Sequence, residues 1–174
     1  WVSTNPMQLA DWAGRVEFEE AMAARLAGKT EKAIKHLTLA IQASPDTGNL
    51  YYWRADLLSR TGQYDKAIAD YTKALELMPQ HRASLLGRGV ARILMEQWDL
   101  AVEDLSAVLE ADLETDKIAA LAHRARGVLY AAMSHHAEAI SDYEAYLAMI
   151  PDAPDKANVE TWIEQLRWFV NAGS

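Results

Sequence analysis

The stretch TGQYDKAIADYTKALELMP, residues Thr61 to Pro79, reads as a turn, an amphipathic helix and a stop. After the turn at Gly62, apolar residues recur at intervals of three and four, which is the period of one helix face. Pro79 ends the helix, because proline lacks an amide donor and restricts the residue before it. On the apolar face, Ala67 and Ala74 stand where larger core residues are usual.

The same pattern occurs in three other places in the chain. The four copies begin at Gly28, Gly62, Glu96 and Ser134, and each has Ala in one column, a β-branched residue next to it and Leu or Tyr three positions later. The alanine column consists of Ala33, Ala67, Ala101 and Ala139, at steps of 34, 34 and 38 residues. A fixed step of this size predicts a repeat architecture.

A second helical pattern precedes each copy and carries a small residue at its centre. These small residues are Ala21, Ala55, Gly89 and Gly127. Each repeat is therefore predicted to be two antiparallel helices joined by a short turn. Small side chains at the crossing allow two helices to approach to the short end of the packing range of about 8–10 Å.

This unit resembles the tetratricopeptide repeat family, whose repeat is a helix-turn-helix with small residues at the helix crossing and a proline near its end. The resemblance implies an all-α fold, a right-handed superhelical solenoid of antiparallel helix pairs. It predicts the following segments: an N-terminal cap at 1–13, repeats at 14–47, 48–81, 82–119 and 120–153, and a C-terminal capping helix within 154–174.

Two local features refine these boundaries. The third repeat contains four additional residues, Asp116 to Ala119. We expect them to lengthen a helix by about one turn, with Thr115 or Asp116 as its N-cap. At the start of the chain, Asn5 is the expected N-cap and Pro6 the first helical residue.

Charged residues recur in register with the repeats. Arg54, Arg88 and Arg126 are each followed sixteen residues later by an aspartate, and the predicted ion pairs are Arg54–Asp70, Arg88–Asp104 and Arg126–Asp142. In the first repeat, the same two columns hold Glu20 and His36, which reverses the polarity. A set that recurs once per repeat indicates a structural role, since catalytic sites are not repeated with the scaffold.

Composition and motifs exclude several functional classes. The net charge of −8 argues against a nucleic-acid-binding surface. Cysteine is absent, so thiol nucleophiles and thiolate metal sites are excluded, and no apolar run approaches the ~20 residues of a membrane span. The chain has no phosphate-binding or nucleophile motif, and the pair His135 and His136 lacks partners at metal-ligand spacing. We therefore predict a non-enzyme with no cofactor and no metal.

In the tetratricopeptide family, the first helices of the repeats line a concave groove that holds a peptide. Helical phase predicts a groove formed by Arg15, Phe18, Met22, Arg25, Asn49, Tyr52, Trp53, Asp56, Arg60, Leu86, Val90, Ile93, Arg124 and Val128. Its arginines around an apolar floor predict a ligand with apolar anchors and negative charge. The alternatives are that Tyr52 and Trp53 pack between neighbouring helices, or that the N-terminal segment at Trp1 and Val2 fills the groove.

Family members that grip a chaperone C-terminal carboxylate use Lys, Asn and Arg at defined groove positions. Here the corresponding positions hold Phe18, Met22, Ala83 and Gly87, which argues against that ligand.

The expected function is an interaction scaffold that binds a protein or peptide partner. One rival is self-assembly through Trp162, Trp168 and Phe169 on the last helix or Trp12 on the first. Another is a docking or regulatory part of a longer protein, because the chain begins at Trp1 rather than Met. No secretory leader is visible, which favours a cytoplasmic location over a periplasmic or secreted one.

Overall fold

A computed structural model describes the backbone of residues 6–110 and 116–172, and the side chains from residue 12 onward in those ranges. Within these ranges the chain forms helices and no strands, so the all-α class is confirmed. The helices are α1 (Pro6–Leu26), α2 (Thr30–Ala43), α3 (Gly48–Arg60), α4 (Tyr64–Leu77), α5 (Arg82–Leu94), α6 (Trp98–Leu109), α7 (Lys117–Ala132), α8 (His136–Met149) and α9 (Lys156–Ala172).

The contacts between helices divide the chain into two units, Trp1–Ala91 and Arg92–Ser174, and the boundary lies within α5. In unit 1, α1 packs against α2 and α3 against α4. In unit 2, α7 packs against α8, which in turn packs against α9. Three of the predicted hairpins, α1 with α2, α3 with α4 and α7 with α8, are thus present within the units. Among the described residues, no helix is both long enough and apolar enough to cross a membrane.

The alanines that the repeat pattern places at the helix crossings are fully buried. Ala21, Ala33, Ala55 and Ala67 expose none of their surface in unit 1. In the second hairpin, Ala55 and Ala67 belong to one core cluster with Leu58 and Tyr71. The small side chains therefore allow close packing, and the Tyr71 ring fills the adjacent space.

The turn between the first and second helix of each repeat has the same local geometry in all four repeats. An amide beyond the first helix bonds a carbonyl five residues back, as in Lys29 to Ala24 and Gln63 to Leu58, which is the closing bond of a Schellman turn. The turn requires one residue with positive φ: Gly28 (70°), Gly62 (76°), Glu96 (56°) and Ser134 (62°). Two repeats therefore hold a side chain in the left-handed region that glycine tolerates best.

The second helices end where proline predicts. α2, α4 and α8 each stop two residues before Pro45, Pro79 and Pro151, respectively. The residue before proline has left the helical region in each case; Met78, for example, has φ −138° and ψ 77°. The proline ring disfavours helical geometry at this position, so the helix cannot continue.

The third-repeat insertion lengthens α7, as expected. This helix has 16 residues, whereas α3 has 13. Asp116 is its N-cap, and its side chain accepts a hydrogen bond of 3.0 Å from the Ile118 amide. The alternative cap, Thr115, lies outside the described residues, as does Asn5. At the other end, α1 runs unbroken from Pro6 to Leu26, and the division between a cap segment and the first repeat at residue 13 stays a prediction.

Two of the predicted arginine–aspartate pairs are present as two-pronged contacts. Arg54 donates from Nε and Nη2 to the two carboxylate oxygens of Asp70, at 2.6 and 2.8 Å. Arg126 does the same with Asp142, at 2.7 and 2.9 Å. The third predicted pair, Arg88–Asp104, would join the two units and stays a prediction.

Each of these arginines also reaches a hydroxyl on the preceding repeat. Arg54 donates to Thr38 at 3.2 Å, Arg88 to Thr72 at 3.1 Å and Arg126 to Ser106 at 3.0 Å. One guanidinium therefore links its own hairpin to the hairpin before it.

The first repeat reverses the polarity of the pair but uses a different acid. The His36 ring nitrogen Nδ1 lies 2.6 Å from Glu17 Oε2, while Glu20 faces Lys32 at 3.7 Å. The predicted Glu20–His36 pairing is therefore wrong by one helical turn. Glu17 and Glu20 lie on neighbouring turns of the same face, so column alignment alone did not separate them.

We predict that Glu96→Gly stabilises the chain by about 0.5–1 kcal/mol, because it removes a side chain from the left-handed region. Gly62→Ala should destabilise by about 1 kcal/mol for the converse reason. Urea titration followed by circular dichroism measures both free energies of unfolding. As a control, Glu103→Gly in the interior of α6 should destabilise by about 1 kcal/mol. If Glu96→Gly and Glu103→Gly both stabilised the chain, the left-handed turn geometry at position 96 would not be the cause.

We also predict that Asp142→Ala destabilises by about 3 kcal/mol, because it leaves the Arg126 charge partly buried without its acceptor. The same change at the exposed Asp152 should alter stability by less than about 0.5 kcal/mol. The double variant Arg126→Met/Asp142→Leu should recover much of the loss in the same denaturation experiment. If Asp142→Ala lowered the free energy of unfolding no more than Asp152→Ala does, the Arg126–Asp142 pair would not be stabilising.

Candidate functional site

A cleft of about 240 Å³ lies between α1 and α3 in unit 1, and we call it the α1–α3 cleft. It brings together four residues of the predicted groove: Arg15, Phe18, Asn49 and Trp53. Its remaining lining residues are Gly14, Ser44, Thr47 and Leu50. The cleft therefore has an apolar floor with polar and cationic groups at its edge.

Glycine at position 14 helps to shape this cleft. Gly14 is buried, and a Cβ placed on it would lie 2.6 Å from Ser44 Oγ. Only a residue without a side chain allows α1 to lie this close to the segment between α2 and α3 without a shift of Ser44.

Trp53 packs against its neighbours and also faces the α1–α3 cleft. It is half-buried and packs against the core of unit 1, and its indole also lines the α1–α3 cleft. The Arg25 guanidinium lies over the indole ring, with its central carbon 4.8 Å from the ring centroid. This distance is within the ~6 Å range of a cation–π contact.

Tyr52 faces the core rather than the cleft. Its ring lies 4.9 Å from the His81 ring in an edge-to-face arrangement and 6.3 Å from Tyr71. Burial is the main factor that raises the pKa of its hydroxyl, and the nearby Asp56 carboxylate adds to the effect. The packing alternative therefore describes Tyr52 better than a groove role does.

Two of the predicted groove arginines are already engaged with carboxylates. Arg60 lies 3.9 Å from Asp56 on the same helix. Arg124 donates to Asp155 at 2.6 Å, and Asp155 also accepts a 2.7 Å hydrogen bond from Tyr146. The hydrogen bond from Tyr146, together with Arg124, lowers the pKa of Asp155. Arg124 thus fastens the segment between α8 and α9.

The other predicted groove residues fall in both units. Met22 is half-buried against the core of unit 1, and Leu86 and Val90 are half-buried on α5. In unit 2, Ile93 is half-buried, while Val128 lines a second cleft of about 320 Å³ between α7 and α9. Trp162 and Phe169 line this second cleft as well.

The departure at Gly87 from the carboxylate-gripping pattern has a structural reason. A Cβ on Gly87 would lie 2.4 Å from Cζ of Tyr71, whose ring is almost fully buried. A long donor side chain cannot enter here unless Tyr71 moves. Phe18, at another of those positions, lines the α1–α3 cleft instead.

Sequence reasoning missed two sets of residues. Ser44, Thr47 and Leu50 line the cleft, but the prediction used only the phase of the first helices and ignored the connecting segment. The hydroxyl column Thr38, Thr72 and Ser106 recurs every 34 residues, so the same self-comparison could have found it. In the last repeat this column holds Glu144, which accepts a 2.6 Å bond from Arg167 of α9.

The histidines of the last turn are packed against aromatic rings. His135 stacks on Tyr130 at 5.9 Å, and His136 stacks on Phe169 at 5.1 Å. Across the part of the chain that the structure describes, no group of three or more His, Asp or Glu side chains is placed to hold a metal ion.

Comparison with known proteins gives relatives that share these repeats. The chain is 30% identical over 100 residues to the TPR repeat-containing thioredoxin TDX of Arabidopsis thaliana, over 58% of this chain and 26% of that protein. It is 39% identical over 82 residues to the protein SGT1 homolog of Oryza sativa subsp. japonica, and this match covers 47% of this chain and 22% of that protein. The chain therefore matches only about a quarter of the length of these curated relatives.

A solved structure has the same fold. It is YrrB, described as a TPR protein with an unusual peptide-binding site, and it superposes with a TM-score of 0.76 at 19% identity. The match covers 86% of this chain and 75% of that one.

Two sequence models of the tetratricopeptide repeat match the chain, one over residues 48–81 and the other over 86–154. Together they cover more than half of its residues. With buried alanines at the helix crossings and prolines that end the repeats, the chain belongs to the tetratricopeptide repeat family.

Proposed function

We propose that this chain is a non-catalytic interaction scaffold that binds a peptide segment of a partner protein in the α1–α3 cleft. The observation that carries the proposal is the cleft itself, where Trp53 and Phe18 form an apolar floor beside Arg15 and Asn49. Aromatic and arginine side chains in a concave site contribute much of the binding energy at protein interfaces.

The relatives support this function by analogy. YrrB, which shares the fold, is described as having a peptide-binding site. The matched relatives are longer proteins, and one is named a thioredoxin, so their whole activity does not transfer to the repeats. The alternative that this chain is a docking part of a longer protein stays a prediction.

The non-catalytic part of the proposal rests on how the charged side chains are used. The buried carboxylates Asp70 and Asp142 are each held by an arginine across a helix hairpin. Both oxygens of each carboxylate accept hydrogen bonds from that arginine, and the two residues are only 8% and 3% exposed, so a substrate has little access to them.

A random-peptide phage library, selected on the folded chain, tests the binding function. Synthetic copies of the enriched peptides should bind the wild type, and Trp53→Ala should weaken their binding by about tenfold or more. Because Trp53 also packs against the core, Asn49→Trp provides a second variant that fills the cleft from an exposed position. Trp98→Ala, in unit 2, is the control and should bind as the wild type does.

Fluorescence polarisation gives the dissociation constants, and circular dichroism shows that each variant is folded. Peptides that bind Asn49→Trp and wild type equally well would contradict the assignment of the cleft.

Self-association is a second candidate, favoured by exposed aromatic residues at both ends of the chain. Trp168 is 65% and Phe169 51% exposed on α9, and Trp12 is 59% exposed on α1. If α9 pairs with a second copy, light scattering should give a mass that rises above 19.4 kDa with concentration. Trp168→Ser should restore the single-chain mass, because it removes the exposed indole. A wild-type mass that stays constant at the single-chain value would exclude this candidate.

A further inference from the structure

Arg25 is held at the edge of the α1–α3 cleft by Trp53. Its guanidinium lies over the indole at 4.8 Å, and the same indole lines the cleft. A cation–π contact restrains the long arginine side chain, so less conformational entropy is lost when the guanidinium binds a further group. The positive charge and the apolar cleft are therefore separated by about the width of one side chain.

The charge of Arg25 is not neutralised within the described part of unit 1. No carboxylate there lies within ion-pair distance of it, and its Nε is buried without a hydrogen-bond acceptor. By comparison, Arg54, Arg60 and Arg124 each have an aspartate at 3.9 Å or less. A partly buried guanidinium without an anion gains more from an incoming carboxylate than one that is already paired.

The local charge around the cleft opposes that of the whole chain. The chain carries a net charge of −8, whereas the residues that line the cleft include Arg15 and no acidic residue, and the Arg25 guanidinium lies over one of them, Trp53. A cationic patch on an acidic protein favours approach of an anionic ligand at that patch and repels it elsewhere.

We propose that unit 1 recognises an acidic peptide segment in which an apolar side chain enters the α1–α3 cleft and a neighbouring Asp or Glu pairs with Arg25. The ligand is an internal segment rather than a chain end, since Tyr71 blocks donor side chains at Gly87 and Phe18 supplies no donor. The assignment rests on the peptide-binding function proposed above and adds the chemistry that selects the peptide.

The test uses peptides enriched from the phage library, synthesised with amidated ends so that no terminal carboxylate is present. Enriched sequences should contain Asp or Glu close to an aromatic or branched residue. Arg25→Gln should weaken binding of these peptides by about tenfold. Arg25→Lys should weaken it by less, because lysine keeps the charge but loses the planar stack on Trp53. Arg167→Gln on α9 removes the same charge from unit 2 and should have no effect.

A double-mutant cycle assigns the contact to its two partners. Changing the acidic peptide residue to its amide should weaken wild-type binding by about the same factor as Arg25→Gln, with little further loss in the combination. The wild-type affinity should also fall with added salt more steeply than that of Arg25→Gln.

Four outcomes would overturn the assignment. If the enriched peptides lack acidic residues, or if folded Arg25→Gln binds them with wild-type affinity, Arg25 does not recognise an acid. Either result would leave the peptide-binding function itself intact. Binding that appears only after deletion of residues 1–5 would show that the cleft belongs to the chain's own N-terminal segment. If Asn49→Trp also binds every peptide normally, the cleft assignment itself fails, and the acid recognition fails with it.

Discussion

The close approach of the two helices in each hairpin is the constraint on which the rest of the structure depends. Ala55 and Ala67 meet with no exposed surface, so the helices of the second hairpin pack more closely than larger side chains would allow. The space beside the crossing is then filled by Tyr71, and that ring leaves no room for a side chain at Gly87. The residue that α5 can carry at position 87 therefore follows in part from packing inside the hairpin before it.

Features that repeat could be predicted from the sequence, because four copies provide an internal comparison. The alanine crossings, and the prolines that end three of the second helices, follow from local steric rules that act in the same way wherever those residues recur. The longer α7 follows from counting the residues of the third repeat against the other copies. The pairs Arg54–Asp70 and Arg126–Asp142 follow from constant spacing in an antiparallel hairpin.

Features that occur only once were not predictable in this way. Arg124 pairs with Asp155, 31 residues later, in a segment that has no counterpart in the other repeats. His36 contacts Glu17 rather than Glu20, which lies one turn further along the same face of α1 and faces Lys32. The orientation of Tyr52 toward His81 and the contribution of Ser44 to the α1–α3 cleft depend on tertiary packing, which helical phase does not describe.

The Arg54 guanidinium belongs to two hairpins at once, because it contacts Thr38 of the preceding repeat as well as Asp70 of its own. In a repeat array, stability is a sum of terms within repeats and terms between nearest neighbours, and their ratio sets how many repeats unfold together. Because the ion pair with Asp70 fixes the direction of the same side chain, the term within the repeat and the term between repeats are not independent here. Loss of one hairpin thus weakens its neighbour, which makes the cooperative unit of unfolding larger than a single repeat.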